Sequence, residues 1–187
     1  MDKQVRLFEL KTGSEIRSAE GHSRAVTSLV VLAGGQQLVT AGLDNSLRLW
    51  RHSPTAEVET VMDNHRDGVL DLALRPGPQL RPMVLSVSAD RTVRFWQPTI
   101  GRMMRFATLP VRPLAAAWIH DGQFVAVVSS DGQLRVIDPE SVQIIRQQQA
   151  IDGWAYCLAV LADSKQVVVG GERGQLKLLS IPLDAQQ

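Results

Sequence analysis

Apolar and polar residues alternate one for one through short runs of this chain. Val5-Arg6-Leu7, Leu47-Arg48-Leu49, Val93-Arg94-Phe95, Leu134-Arg135-Val136 and Leu176-Lys177-Leu178 each place one basic residue between two apolar ones. A period of two predicts half-buried β-strands, because successive strand side chains point to opposite faces. Pairs of longer apolar runs lie before these segments, split by turn residues. AVTSLVVL (25–32) and QQLVTA (36–41) flank Gly34-Gly35, LAAAWI (114–119) and QFVAVV (123–128) flank Asp121-Gly122, and AYCLAVL (155–161) and KQVVVG (165–170) flank Asp163-Ser164. Gly and Asp supply the backbone conformations that tight hairpins need. No segment has a period of 3.6, so helix is expected to be nearly absent.

The pattern itself is repeated. An acid opens each copy: DKQVRLFE from Asp2, DNSLRLWR from Asp44, DRTVRFWQ from Asp90, DGQLRVID from Asp131 and ERGQLKLLS from Glu172. The separations of 42, 46, 41 and 41 residues are too even for chance, and the last copy needs one inserted residue in its turn. Each full unit reads as four short strands. The units are a partial one at 1–20, full ones at 21–62, 63–108 and 109–148, and a three-stranded one at 149–182, all within one domain of 187 residues.

Four-stranded units spaced by ~40–45 residues mark a β-propeller, and here the chain resembles the WD-repeat (WD40) family. Gly21-His22 precedes Asp44, and Trp50 follows that acid by six residues; Asn64-His65 precedes Asp90, and Trp96 again follows by six. The resemblance implies an all-β fold, a WD-repeat β-propeller of about four to four and a half four-stranded blades, hence a partial ring. The last repeat is also similar to WD-repeat segments of large bacterial proteins. The family's hydrogen-bonded set of His, hydroxyl, Asp and Trp matches His22, Thr40, Asp44 and Trp50, then His65, Ser86, Asp90 and Trp96. An indole only donates, a carboxylate only accepts, and His and hydroxyl do both, so the four can bridge three strands and a loop. The same types could spell a nucleophilic triad. A set that occurs twice, with its hydroxyl on an apolar strand, points to bracing, and no catalytic residue is expected.

The later units depart from the set. Pro110 and Val127 stand where the third full unit needs its His and hydroxyl, and Ala150, Val168 and Leu179 stand at set positions of the last, with Glu172 for its Asp. Apolar packing is expected to hold these two blades, their loops less firmly. His65→Ala should then cost more stability than any change in the Asp131 turn. The unclosed array would leave end faces and strand edges in water. The chain is then a segment of a longer one, self-associates through its unclosed end blades, or uses the strand at 14–19 as the last blade's outer strand.

Composition narrows function mainly by exclusion. With 44% hydrophobic and 21% charged residues the chain is globular, and a net charge of +1 gives no general attraction for nucleic acid. Apolar runs such as LVVLA (29–33) are far too short for a membrane span. The lone Cys157 can form no internal disulfide, and His52 and His120 have no second ligand at metal spacing, so neither metal nor cofactor is expected. Cys157 and Trp118 are expected in the core, and the strand arginines with stems between blades and charges at the edge. A cytoplasmic location is expected.

The resemblance also implies a partner face, formed by the loop before each innermost strand and the turn before each acid. The matching positions are Ala25, Thr27 and Leu43; Gly68, Leu70 and Ala89; Arg112, Leu114 and Ser130; and Gly153, Ala155 and Gly171, with Trp154 and Tyr156 beside them, Trp154 either as a candidate anchor or packed over the end of its blade. Arg24, Arg66 and Arg91 adjoin it. Small and apolar residues suit a protein partner better than phosphate. The expected function is a non-catalytic protein-interaction scaffold; the alternative is a regulatory or substrate-presenting propeller module of a larger multidomain enzyme or sensor.

Overall fold

In a computed structural model, residues 3–51, 57–78 and 80–182 are described; Asp2 and His52 lie outside them. The chain begins with a hairpin of β1 (Gln4–Phe8) and β2 (Glu15–Glu20). Three four-stranded antiparallel sheets follow. The first is β3 (Val26–Val31), β4 (Gln37–Gly42), β5 (Leu47–Arg51) and β6 (Val58–Met62). The second is β7 (Val69–Leu74), β8 (Val84–Ser88), β9 (Thr92–Gln97) and β10 (Arg102–Thr108), and the third is β11 (Pro113–Ile119), β12 (Phe124–Ser129), β13 (Gln133–Ile137) and β14 (Ile144–Gln149). A three-stranded sheet of β15 (Ala155–Val160), β16 (Gln166–Gly171) and β17 (Leu176–Ser180) ends the array. The described residues contain no α-helix, only short 3-10 turns at Pro98–Ile100, His120–Gly122 and Glu172–Gly174. Among the described residues no helix is long and apolar enough to cross a membrane.

Within every sheet the strands lie in chain order, as hairpin connections dictate. Gly34 and Gly35 turn β3 into β4 at φ of 85° and 70°, a conformation that costs glycine little. The first strands touch in series, β3 with β7, β7 with β11 and β11 with β15, so the sheets fan out from one common side. This is a partial β-propeller. Among the described residues strand β2 pairs with β1, and β17 only with β16; the segment at 14–19 is therefore not the outer strand of the last sheet. The short link between β1 and β2 favours their own hairpin.

Three apolar layers hold the fan together, one between each pair of neighbouring sheets. Val39, Ala41, Leu47 and Leu49 meet Leu72 and Trp96 in the first. Leu85, Val87, Val93 and Phe95 meet Ala116 and Trp118 in the second. The third joins Val128, Leu134 and Val136 to Val167 and Val169. Trp118 thus lies in the core as its strand position suggested, its Nε1 donating to Ala73 O at 3.2 Å. Cys157 does not: it is exposed, because among the described residues no sheet packs on the outward face of β15–β17.

Candidate partner-binding face

Two polar sets sit at equivalent places in the first two full sheets. His22 Nδ1 lies 2.9 Å from Asp44 Oδ1, and its Nε2 lies 2.7 Å from Thr40 Oγ1, which also accepts from Trp50 Nε1 at 2.8 Å. In the second, His65 Nδ1 is 2.8 Å from Asp90 Oδ2, His65 Nε2 is 2.7 Å from Ser86 Oγ, and Trp96 Nε1 donates to that Oγ at 2.8 Å. The hydroxyl accepts from the indole and so gives its own proton to Nε2. Nδ1 then carries the histidine hydrogen and donates it to the carboxylate. All four members are spoken for, and the hydroxyl, His and Trp side chains are buried. A nucleophile needs an approach that this geometry denies.

Charge follows from the same contacts. Burial lowers the pKa of both imidazoles, more than their aspartates raise it, so they are neutral. Burial pushes Asp44 up, but hydrogen bonds from His22, Ser23 N–H and Ser46 hold it below the usual range. Asp90 is held below that range too, because Thr92 Oγ1 at 2.6 Å, Arg66 N–H at 3.0 Å and His65 together outweigh its burial. Each carboxylate thereby pins the loop that enters its sheet.

The third full sheet solves the problem differently. With no histidine, Arg135 turns back onto Asp131, its two terminal nitrogens 3.1 and 2.5 Å from the two carboxylate oxygens. Arg48 and Arg94 come only to 3.7 and 3.5 Å from their acids, which histidine already engages. Arg135 is 1% exposed, so its charge is not at the edge as expected, and the Asp131 turn rests on an ion pair as well as apolar packing. In the last sheet the register moves by one. Leu43 N–H donates to Ala25 O, Ala89 to Gly68 O, Ser130 to Arg112 O and Glu172 to Trp154 O, at 2.9–3.0 Å. Glu172 therefore matches Leu43, and Arg173 takes the turn-acid position. Val169, which pairs with Lys177 as Thr40 pairs with Arg48, stands at the hydroxyl position in place of Val168.

Those four backbone bonds define one end of the fan. Trp154, Tyr156 and Glu172 are the last sheet's equivalents there, one residue beyond Gly153, Ala155 and Gly171. Thr27, Leu70, Leu114 and Tyr156 each fall at a register break at the start of the inner strand, and a bulge of this kind re-aims its side chain. Thr27 and Arg112 are exposed, Ala25, Leu43, Leu70, Ala89 and Leu114 are half-buried, and Gly68 is buried. A Cβ on Gly68 would come within 2.9 Å of Leu43 Cδ2, so glycine lets neighbouring loops close together. A cavity of about 600 Å³ opens among Gln4, Ala25, Thr27, Leu29, Leu43 and Leu70. Arg24 is tied to Leu43 O at 3.0 Å. Trp154 is 41% exposed and lies 6.0 Å, ring to ring, from Tyr156. Among the described residues no cluster of side chains could hold a metal ion.

Sequence reasoning missed Asp71. Its Oδ1 accepts from Ser28 Oγ at 3.1 Å and Leu72 N–H at 2.8 Å, and its Oδ2 accepts from Ala116 N–H at 3.1 Å, so it joins three sheets. An acid in the otherwise apolar VLDLAL was the available signal.

Known proteins agree with this geometry. A family model described as WD domain, G-beta repeat matches residues 13–51, 56–97 and 110–138. The chain is 30% identical over 108 residues to protein transport protein SEC13-1 of Candida glabrata, covering 53% of this chain and 36% of that protein. It is 33% identical over 112 residues to coronin-7 of Rattus norvegicus, covering 56% and 12%. It is 27% identical over 127 residues to THO complex subunit 3 of Arabidopsis thaliana, covering 65% and 39%. The chain thus spans well under half the length of these relatives. With repeats matched over more than half of its residues, this chain belongs to the WD-repeat family.

Proposed function

We propose that the chain is a non-catalytic scaffold that presents the loop end of its sheets to a protein partner. One observation carries the reading: the backbone bonds from Leu43, Ala89, Ser130 and Glu172 hold loop positions from four sheets, mostly small or apolar in the first two, on one surface. Preorganised loops bind without a large ordering cost. Trp154 and Tyr156, half in water at one margin, supply aromatic anchors of the kind that dominate interfaces. A relative is by its name a subunit of a complex, in keeping with this role. An exposed free thiol at Cys157 suits a reducing compartment, and the cytoplasm is the location this reading assigns. The open ends of the array form a separate surface for self-association.

The test is selection of peptides from a display library on the wild-type chain, followed by rebinding to Leu43→Arg/Leu70→Arg and to Trp154→Ala. Selected peptides are expected to lose at least tenfold in affinity on one of these variants while the melting temperature holds. Undiminished binding to both, or a hydrolase activity abolished by His65→Ala in a folded protein, defeats the reading. A module serving a larger enzyme or sensor is the second reading, favoured by the small share of each relative that the chain spans; the same loop face would then bind a catalytic domain.

A further inference from the structure

Exposed arginines follow one another along the loop end of the first three sheets. The Arg24 guanidinium donates to Leu43 O at 3.0 Å, and Leu43 lies against Gly68 of the next sheet. Two residues before Gly68, Arg66 N–H donates to Asp90 Oδ2 at 3.0 Å, and Arg91 follows that acid in sequence. Arg91 O in turn accepts from Leu109 N–H at 2.8 Å, which seats the short loop that carries Arg112, and Arg112 O accepts from Ser130 N–H at 3.0 Å. Pro110 and Pro113 stand on either side of Arg112 and stiffen that loop. The second and third sheets each have a sheet on both sides, so what their loops expose does not depend on how far the array runs.

The fold itself makes no use of these side chains. Among the described residues, the guanidinium groups of Arg66, Arg91 and Arg112 make no hydrogen bond or ion pair, whereas along the sides of the sheets Arg6 holds Glu15, Arg51 holds Glu59 and Arg105 holds Glu140. The turn acids beside them are already engaged, Asp90 by His65 and Arg94, Asp131 by Arg135. Asp63 and Asp67 are the remaining acids of these loops, and Asp67 accepts from Gly68 N–H at 2.7 Å. Arg91 also sits at φ 65°, where the turns of the first and third sheets place Asn45 at 67° and Gly132 at 71°. Glycine and asparagine enter that left-handed region readily and arginine does not. Such strain gathers at functional positions.

We infer that an acidic peptide segment docks across the loop end of the second and third sheets, its carboxylates on Arg66, Arg91 and Arg112 and an apolar side chain against Leu70 and Leu114. The inference rests on the scaffold reading and names the partner's chemistry. Charge complementarity fixes the occupant. A planar guanidinium pairs a carboxylate through two parallel N–H donors, and backbones tied loop to loop lower the cost of ordering three of them. Nucleic acid fits less well. No Phe, Tyr or Trp stands in these loops to stack a base, and Asp63 and Asp67 repel a phosphate backbone. With a net charge of +1 the chain offers little general attraction for it.

The probes are peptides selected from a random display library on the full chain, resynthesised and measured by fluorescence anisotropy. They are expected to be enriched in Asp and Glu around an apolar residue. Replacing their acids by the amides is expected to cost at least tenfold in affinity, and so is Arg66→Glu/Arg112→Glu in the protein. Lysine in place of those acids is expected to recover binding to the Glu variant. Arg91→Asn gives the turn the residue that the first sheet uses. It is expected to raise the melting temperature and still weaken binding severalfold, a result that loss of folding cannot produce. Peptides without acidic enrichment that fail on Leu43→Arg/Leu70→Arg or Trp154→Ala overturn the acidic partner and leave the scaffold reading standing. No selectable peptide, or peptides indifferent to every loop variant, overturns both. Undiminished binding to Arg91→Asn overturns the proposal. So does tighter binding of oligothymidine or a DNA duplex than of the selected peptides, weakened by the same arginine changes.

Discussion

His22 and His65 have one role each because their neighbours leave them no other: an indole and a hydroxyl on one side, a carboxylate on the other. Their pH behaviour follows. An imidazole held below its ordinary value of 6.5 binds its proton more readily in the unfolded chain, so stability falls as pH drops through about 6.5. Asp44 and Asp90, held below 3.8, contribute stability that is present above that value and lost beneath it. Both limbs have the same sign. The urea midpoint is expected to fall in two stages between pH 7.5 and 3, and Asp90→Asn to flatten the lower one; a midpoint unchanged from pH 7 to 5 contradicts the assignment of neutral histidines. The sets were legible in the sequence because one short spacing encodes each. The role of Arg135 was not, since Arg48 and Arg94 occupy the same strand position and only the missing histidine frees an arginine to clamp its acid. The ranking of His65 far above the Asp131 turn therefore levels. Asp131→Ala strands a buried guanidinium, at about 3 kcal/mol, and His65→Ala leaves a buried hydroxyl and carboxylate short of partners, at about 2–3 kcal/mol. Denaturant titrations returning less than about 1 kcal/mol for Asp131→Ala refute the clamp.

At the scale of strands and turns, local alternation was enough to place nearly every element, because a two-residue period survives any tertiary context that buries one face. The last turn was misplaced by a residue for a physical reason. Alignment on acid type put Glu172 with Asp44, whereas the backbone bond from Glu172 to Trp154 puts it with Leu43. Position is set by the hydrogen-bond ladder and not by side-chain charge. Asp71 escaped for a different reason: its donors come from β3, β7 and β11, more than forty residues apart at the extremes, and nothing local encodes that meeting. Its consequence can be measured. Burial raises the Asp71 pKa despite three donors, so protonation there relieves a cost and works against the acid loss of the other sites. Asp71→Asn places an amide N–H₂ against an N–H donor, at either Ala116 or the Ser28–Leu72 pair. It is expected to cost about 1–3 kcal/mol at pH 7 and more at pH 4, since only the wild-type carboxyl gains stability by binding a proton. A cost that shrinks on acidification contradicts the raised value.

Across the whole molecule, burial is distributed as a gradient from the middle of the fan outward, and stability should follow it. Every residue of β8 is buried and five of six in β9, while the described hairpin β1–β2 has none and β17 has none. A stack in which each sheet touches only its neighbours behaves as a one-dimensional array, so its end units open before its centre. The sequence showed the units and their number but not this ranking, because the alternating pattern of β1 is as regular as that of β9. What separates them is whether a sheet lies on both sides. Hydrogen exchange is expected to release the amides of β1, β2 and β17 first and those of β8 and β9 last. Uniform protection across all sheets would mean that the array unfolds as one unit, and the gradient of burial would then have no energetic counterpart.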